Sequence, residues 1–253
     1  MRKHLSVFGL WARCSLYKIL AVLAVMSVAE YMLFYIIMSK ESAIYEAIGT
    51  FSRPENLVDR SGVFLCFAVA FLVITALITV YGCQFSSKTG YTLRRLRINE
   101  RYVFLYQSLY NLLVYALLWS IQTVLCIFML KFYISQAPAE LVAEQSVFMA
   151  FYRSARLHAL MPLSDGITWA RNILLLVLLS VCSAEFPYLQ RRGKKSATVI
   201  ALALYTVALW KQDISPVGCL VSTVFVAIVA ISAVVYHLFV KEESENETEE
   251  TEY

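Results

Sequence analysis

Apolar residues in this chain gather into six blocks, divided by short polar or charged connections. The blocks run at about Leu16 to Met38, Val63 to Cys83, Val103 to Leu130, Ile167 to Leu189, Ala197 to Trp210 and Val217 to Val240. A bilayer core of roughly 30 Å takes about 20 apolar residues per helical span, and most of the blocks reach that length. The fifth is the shortest, hemmed between Lys195 and Lys211, but both lysines can snorkel to the interface and leave it a span. None of the blocks alternates as barrel strands do. The predicted fold class is therefore all-α, a polytopic integral membrane protein of six transmembrane helices.

The connections set the orientation, because loops rich in Lys and Arg stay in the cytoplasm. With the N-terminus inside, that side holds Arg2, Lys3, Arg13, Lys18, Lys88, Arg94, Arg95, Arg97, Arg101, Arg191, Arg192, Lys194, Lys195 and Lys241, the majority of the 22 Lys and Arg. Both termini are then cytoplasmic. Residues 1–15 read as a basic interfacial segment, with Leu5, Phe8 and Trp11 set among Arg2, Lys3, His4 and Arg13. Residues 16–240 form the six-helix transmembrane domain. Residues 241–253 are an acidic tail whose composition predicts disorder. The first apolar block is too long for a cleaved signal peptide and is expected to stay as an anchor.

Three connections fall outside on this reading, and the two longer ones can be read. Residues 39–61 carry mixed charge with Gly49 and Pro54 as breakers and offer no site. In residues 131–166, helical spacing places Phe148, Phe151, Tyr152, Ala155 and Ala159 on one face, which predicts an amphipathic helix on the outer membrane surface before a break at Pro162 to Gly166.

Composition agrees with the pattern, since 60% of residues are hydrophobic and 16% charged, against about a quarter charged in soluble domains. The sites of multi-pass membrane proteins are found among the polar residues that remain. The nearest approach to a P-loop is Gly193-Lys-Lys-Ser196, where Tyr188 stands in place of the first glycine and Lys195 in place of the Ser or Thr. Its amides have no turn with which to cradle phosphates. The three histidines, His4, His158 and His237, form no HExxH, and no Asp lies within a span. The six cysteines lie in or beside apolar blocks without a CxxC pair and read as packed thiols. The chain is thus expected to be no enzyme, to need no cofactor or metal and to bind no nucleic acid.

Ionisable and amide groups inside the spans are the strongest site signals, because each is costly in hydrocarbon unless paired, hydrated or neutral. Glu30 sits well inside the first span. Glu185, near the inner end of the fourth, is expected to pair with Arg191 or Arg192. In the third span Gln107, Asn111, Tyr115 and Gln122 fall within a quarter of the helix circumference, so they must face another helix, a second subunit or a polar path. Two roles stay open for Glu30 and this stripe: lining a substrate path, or packing helices.

The second and third spans are joined by a short, strongly basic hairpin, residues 86–101. From Tyr91 it can form a short helix on which Arg94, Arg97 and Arg101 share a face at spacings of three and four, with Leu93 and Leu96 beside them. A loop that only sets topology needs cations but no such order. With its Thr92–Gln107 sequence TLRRLRINERYVFLYQ, its six spans and its basic N-terminal segment, the chain resembles the membrane subunits of bacterial ATP-binding-cassette exporters of the type-2 permease class. Arg97 stands where many of those proteins carry Pro, and the larger external element lies between spans three and four. The resemblance implies a permease of the cell membrane, paired with itself or with a second permease, and driven by a separate ATP-binding cassette ATPase. Leu93, Arg94, Arg95, Leu96, Arg97 and Arg101 would then be the coupling residues. The other reading of the same residues is a non-transporting membrane scaffold or sensor accessory, in which the hairpin only sets topology.

Overall fold

The computed structural model describes residues 2–83, 100–138, 145–192, 194, 196–211 and 216–236. These form α1 (Arg2–Ile48), α2 (Pro54–Arg60), α3 (Val63–Gly82), α4 (Glu100–Gln136), α5 (Ser146–Arg153), α6 (Ala155–Leu160), α7 (Gly166–Arg191), α8 (Thr198–Lys211) and α9 (Pro216–Val235). Among the described residues, five helices are long and apolar enough to cross a membrane: α1, α3, α4, α7 and α9. At 1.5 Å per residue α1 and α4 are roughly 70 and 55 Å long, so both overrun a bilayer core, whereas α8 at about 21 Å falls short of it.

This is the architecture of a multi-pass membrane protein. Val25, Val28, Met32 and Ile36 of α1, and Val221, Phe225, Ile228 and Val229 of α9, point outward and are exposed. Such a belt would drive a soluble protein to aggregate, and lipid tails are its natural solvent.

α7 is the hub, packing against α4, α9, α3 and α8. Between Leu178 and Leu189 almost every side chain is buried, as expected of a helix surrounded on all sides. α9 meets it through Cys219, Thr223, Ala227 and Ala230, small side chains one turn apart that let two backbones approach closely. α1 and α4 run parallel, with Ser15 against Tyr110 at one end and Tyr31 against Phe128 and Phe132 further along. α4 and α7 run antiparallel, pairing Phe104 with Tyr188 and Trp119 with Trp169. The basic N-terminal segment and the first span are one continuous helix, and Trp11 is packed into the core.

The far end of the bundle is closed by a cap of α2, α5 and α6. Gly49 ends α1 in the left-handed conformation, at φ 73°, with its amide bonded to the Tyr45 carbonyl. Pro54 opens α2 at a position where its missing amide costs nothing. Gly62, at φ 74°, turns the chain into α3. The single amphipathic helix expected at 148–159 is two short helices broken at Ser154, whose hydroxyl accepts from the Leu157 amide and starts α6 afresh. The buried face is accordingly Ala150, Phe151, Leu157 and Leu160, while Phe148 and Tyr152 turn outward.

Candidate functional site

The α4 stripe lies on the inner face of its helix: Gln107, Asn111, Tyr115 and Gln122 are all buried. Val114, one position before Tyr115, and Leu118, three after it, are buried beside them, so polar and apolar groups share one seam. Tyr115 knits three helices, its hydroxyl donating to Thr75 Oγ1 of α3 at 3.1 Å and meeting Ser183 Oγ of α7 at 2.9 Å. Asn111 Nδ2 donates to the Ser180 carbonyl of α7 at 3.4 Å. The residue before it, Tyr110, meets Ser15 of α1, hydroxyl to hydroxyl at 2.7 Å. Interhelical hydrogen bonds of this kind contribute on average about 0.6 kcal/mol each, and up to about 1.7.

Two polar centres on this face lack that satisfaction. Neither amide atom of Gln107 has a hydrogen-bond partner. Glu30 of α1 is 0% exposed and neither of its carboxyl oxygens has one. Gln122 approaches it from α4, near enough to act on the carboxyl but without a bond of normal geometry. The amide nitrogen of Gln122 donates instead to Cys126 Sγ at 3.7 Å, which leaves Gln122 Oε1 without a donor. Cys66 of α3 and Cys126 of α4 lie close to the Glu30 carboxyl, so the cluster joins three helices. A bare charge at mid-bilayer costs roughly 3 kcal/mol or more.

The space beside these groups is small. A cavity of about 50 Å³ next to Tyr115, lined by Phe67, Phe71, Trp119, Trp210 and Asn172, has room for a few waters. Trp119 Nε1 donating to the Leu160 carbonyl and Asn172 Nδ2 donating to the Ala159 carbonyl hold α6 over it. The roomier spaces are at the surface. An apolar groove of about 450 Å³ lies between α1 and α3. A polar cleft of about 360 Å³ lies at the cap between Arg53, Glu55, Tyr133 and Arg153.

The structure thus brings Glu30 to Gln122 and ties Asn111 and Tyr115 to α7. Of the coupling residues expected from sequence, Arg101 is exposed in the first turn of α4, while Leu93, Arg94, Arg95, Leu96 and Arg97 lie outside the described residues. Glu185 is buried and accepts from Thr198 Oγ1 at the start of α8, 2.7 Å away. Sequence reasoning missed the cap latch, in which Arg153 faces Glu55 at 3.9 Å and Arg156 faces Asp59 at 3.6 Å. Its signal was present as Glu55 and Asp59 one turn apart on α2, against Arg153 and Arg156 across the break at Ser154. Both pairs are partly exposed and contribute at most about 1 kcal/mol each. Asp165 caps α7, accepting from the Ile167 amide at 3.0 Å and from the Thr168 hydroxyl. The Thr168 hydroxyl, with the helix amides, holds the Asp165 carboxyl below the usual carboxylate range.

Comparison with protein-family models, with curated proteins and with solved structures finds no match to this chain.

Proposed function

We propose that this chain is the membrane-spanning permease subunit of an ATP-driven exporter, coupled to a separate ATPase through the basic connection between α3 and α4. The observation that carries the reading is the regular spacing of Arg and Leu in the sequence from Leu93 to Arg101, set in a chain whose sequence has no phosphate-binding motif. Its placement lends support. α3 ends and α4 begins at the bundle end that also bears Arg13, Lys18, Arg191, Arg192 and Lys194, so the connection leaves from a basic face. In the proposed orientation that face is cytoplasmic, with both termini on it. α8 supplies the sixth span: Thr198 bonds Glu185 near that face, and Trp210 packs on Phe67 and Phe71 toward the cap. The subunit works as a dimer with itself or a similar chain in the cell membrane. ATPase closure tilts α3 and α4 through their connection, and the buried seam of Asn111, Tyr115 and Gln122 parts to form the path.

Co-purification tests this reading. The full chain should retain a P-loop ATPase subunit, and the double substitution Arg94→Glu, Arg97→Glu should release it. No retained ATPase, or retention unchanged by the charge reversal, refutes it.

A second reading, a non-transporting scaffold or sensor accessory, draws on the closed interior, whose cavity beside Tyr115 is only about 50 Å³. It predicts a stable membrane protein with no ATPase bound.

A further inference from the structure

The Glu30 cluster has more acceptors than donors. Its carboxyl brings two oxygens and Gln122 Oε1 a third, all without a hydrogen-bond partner, while the Gln122 amide nitrogen is directed to Cys126. Glu30 is 0% exposed, Gln122 is 0% exposed, and none of the cavities found beside Tyr115, at the cap or between α1 and α3 is lined by Glu30. The groups around it offer no counter-charge. Cys66 comes from α3 and Cys126 from α4, and among the described residues no cation acts on the carboxyl.

We propose that Glu30 and Gln122 form a proton-binding site at the centre of the bundle, in which Glu30 is a carboxylic acid whose O–H donates to Gln122 Oε1. One proton satisfies two of the three orphan oxygens and leaves the Gln122–Cys126 contact intact. An alkali cation would also be attracted to three oxygens, but it needs several more ligands than this enclosed cluster presents. The site lies on the contact between parallel α1 and α4, so the packing of these two helices is tied to the proton. Removing it sets three acceptors against one another, and the amide must then turn over and give up Cys126. The proposal is independent of the permease reading, since it concerns only the resting bundle.

Infrared difference spectroscopy on the full chain in lipid bilayers at neutral pH tests it, comparing wild type with Glu30→Gln and Gln122→Leu. The expected result is one carboxylic-acid C=O band present in wild type, lost in Glu30→Gln, and moved to higher frequency in Gln122→Leu, where its hydrogen bond is gone. Glu30→Gln should assemble as well as wild type, because its amide donates in the same place. Loss of a carboxylate band in Glu30→Gln, with no acid band affected, overturns the proposal. If Glu30→Gln does not assemble, the Gln122→Leu spectrum decides alone: an acid band that does not move, or no acid band at all, overturns it. A wild-type band that disappears on adding sodium at constant pH also overturns it, in favour of a cation site.

Discussion

Tyr115 shows how much one hydroxyl does inside this bundle. It bridges Thr75 and Ser183, so a single side chain joins α3, α4 and α7. Tyr115→Phe keeps the ring packed beside Phe71 and removes only the two bonds, and should lower unfolding stability in detergent by about 1–2 kcal/mol. Thermal or denaturant melts check this, with Ser183→Ala expected to fall between the two. At the membrane surface Asp165 offers a pH-dependent counterpart. Its carboxyl is held below its ordinary value, so the stability it contributes is present above the unfolded value of about 3.9 and is lost as pH falls through the lower folded value. Asp165→Ala should cost about 1 kcal/mol at neutral pH, as lost N-caps do, and that difference from wild type should vanish in melts run at strongly acid pH. The positions of Gln107, Asn111, Tyr115 and Gln122 were legible in the sequence because polar groups at helical spacing stand out in an apolar run. Their partners were not. Thr75 and Ser180 bond to carbonyls of their own helices and Ser183 is equally short, so nothing in the sequence distinguishes the three from any other small residue in a span.

At the level of elements, apolar length located every long helix, and Gly49 and Pro54 marked the turn that begins the cap. The split of the expected amphipathic helix into α5 and α6 escaped because its cause is one N-cap serine, not a glycine or proline. The latch between α2 and α5–α6 escaped because charge pairing between short, distant segments leaves no periodicity. The element whose role matters most to the topology is α8. At about 21 Å it is shorter than a bilayer core, yet it reaches from the level of Glu185 to that of Phe67. If it crosses, single cysteines introduced at Ser196 and Lys211 should be labelled by an impermeant thiol reagent from opposite sides of the membrane. Labelling of both from the same side would make α8 a re-entrant element. Cys83, Cys126, Cys182 and Cys219 are buried and Cys66 is partly buried, so the labelling is read against the unsubstituted protein as background.

On the scale of the whole molecule, an apolar exterior, a closed interior and one basic face frame a polar seam that runs along α4. The seam holds the helices together in the resting bundle, and in the proposed cycle it is also where they part. On the proposed permease reading, a closed resting state fits a machine that opens only when driven, and force would enter through the connection carrying Leu93 to Arg101. ATP hydrolysis by the chain reconstituted with any ATPase subunit that it retains is therefore the decisive measurement. The permease account predicts hydrolysis by the wild-type complex that falls sharply with Arg94→Glu, Arg97→Glu while the melting of the bundle is unchanged. A wild-type preparation without ATPase activity, or equal rates for the two proteins, would contradict it.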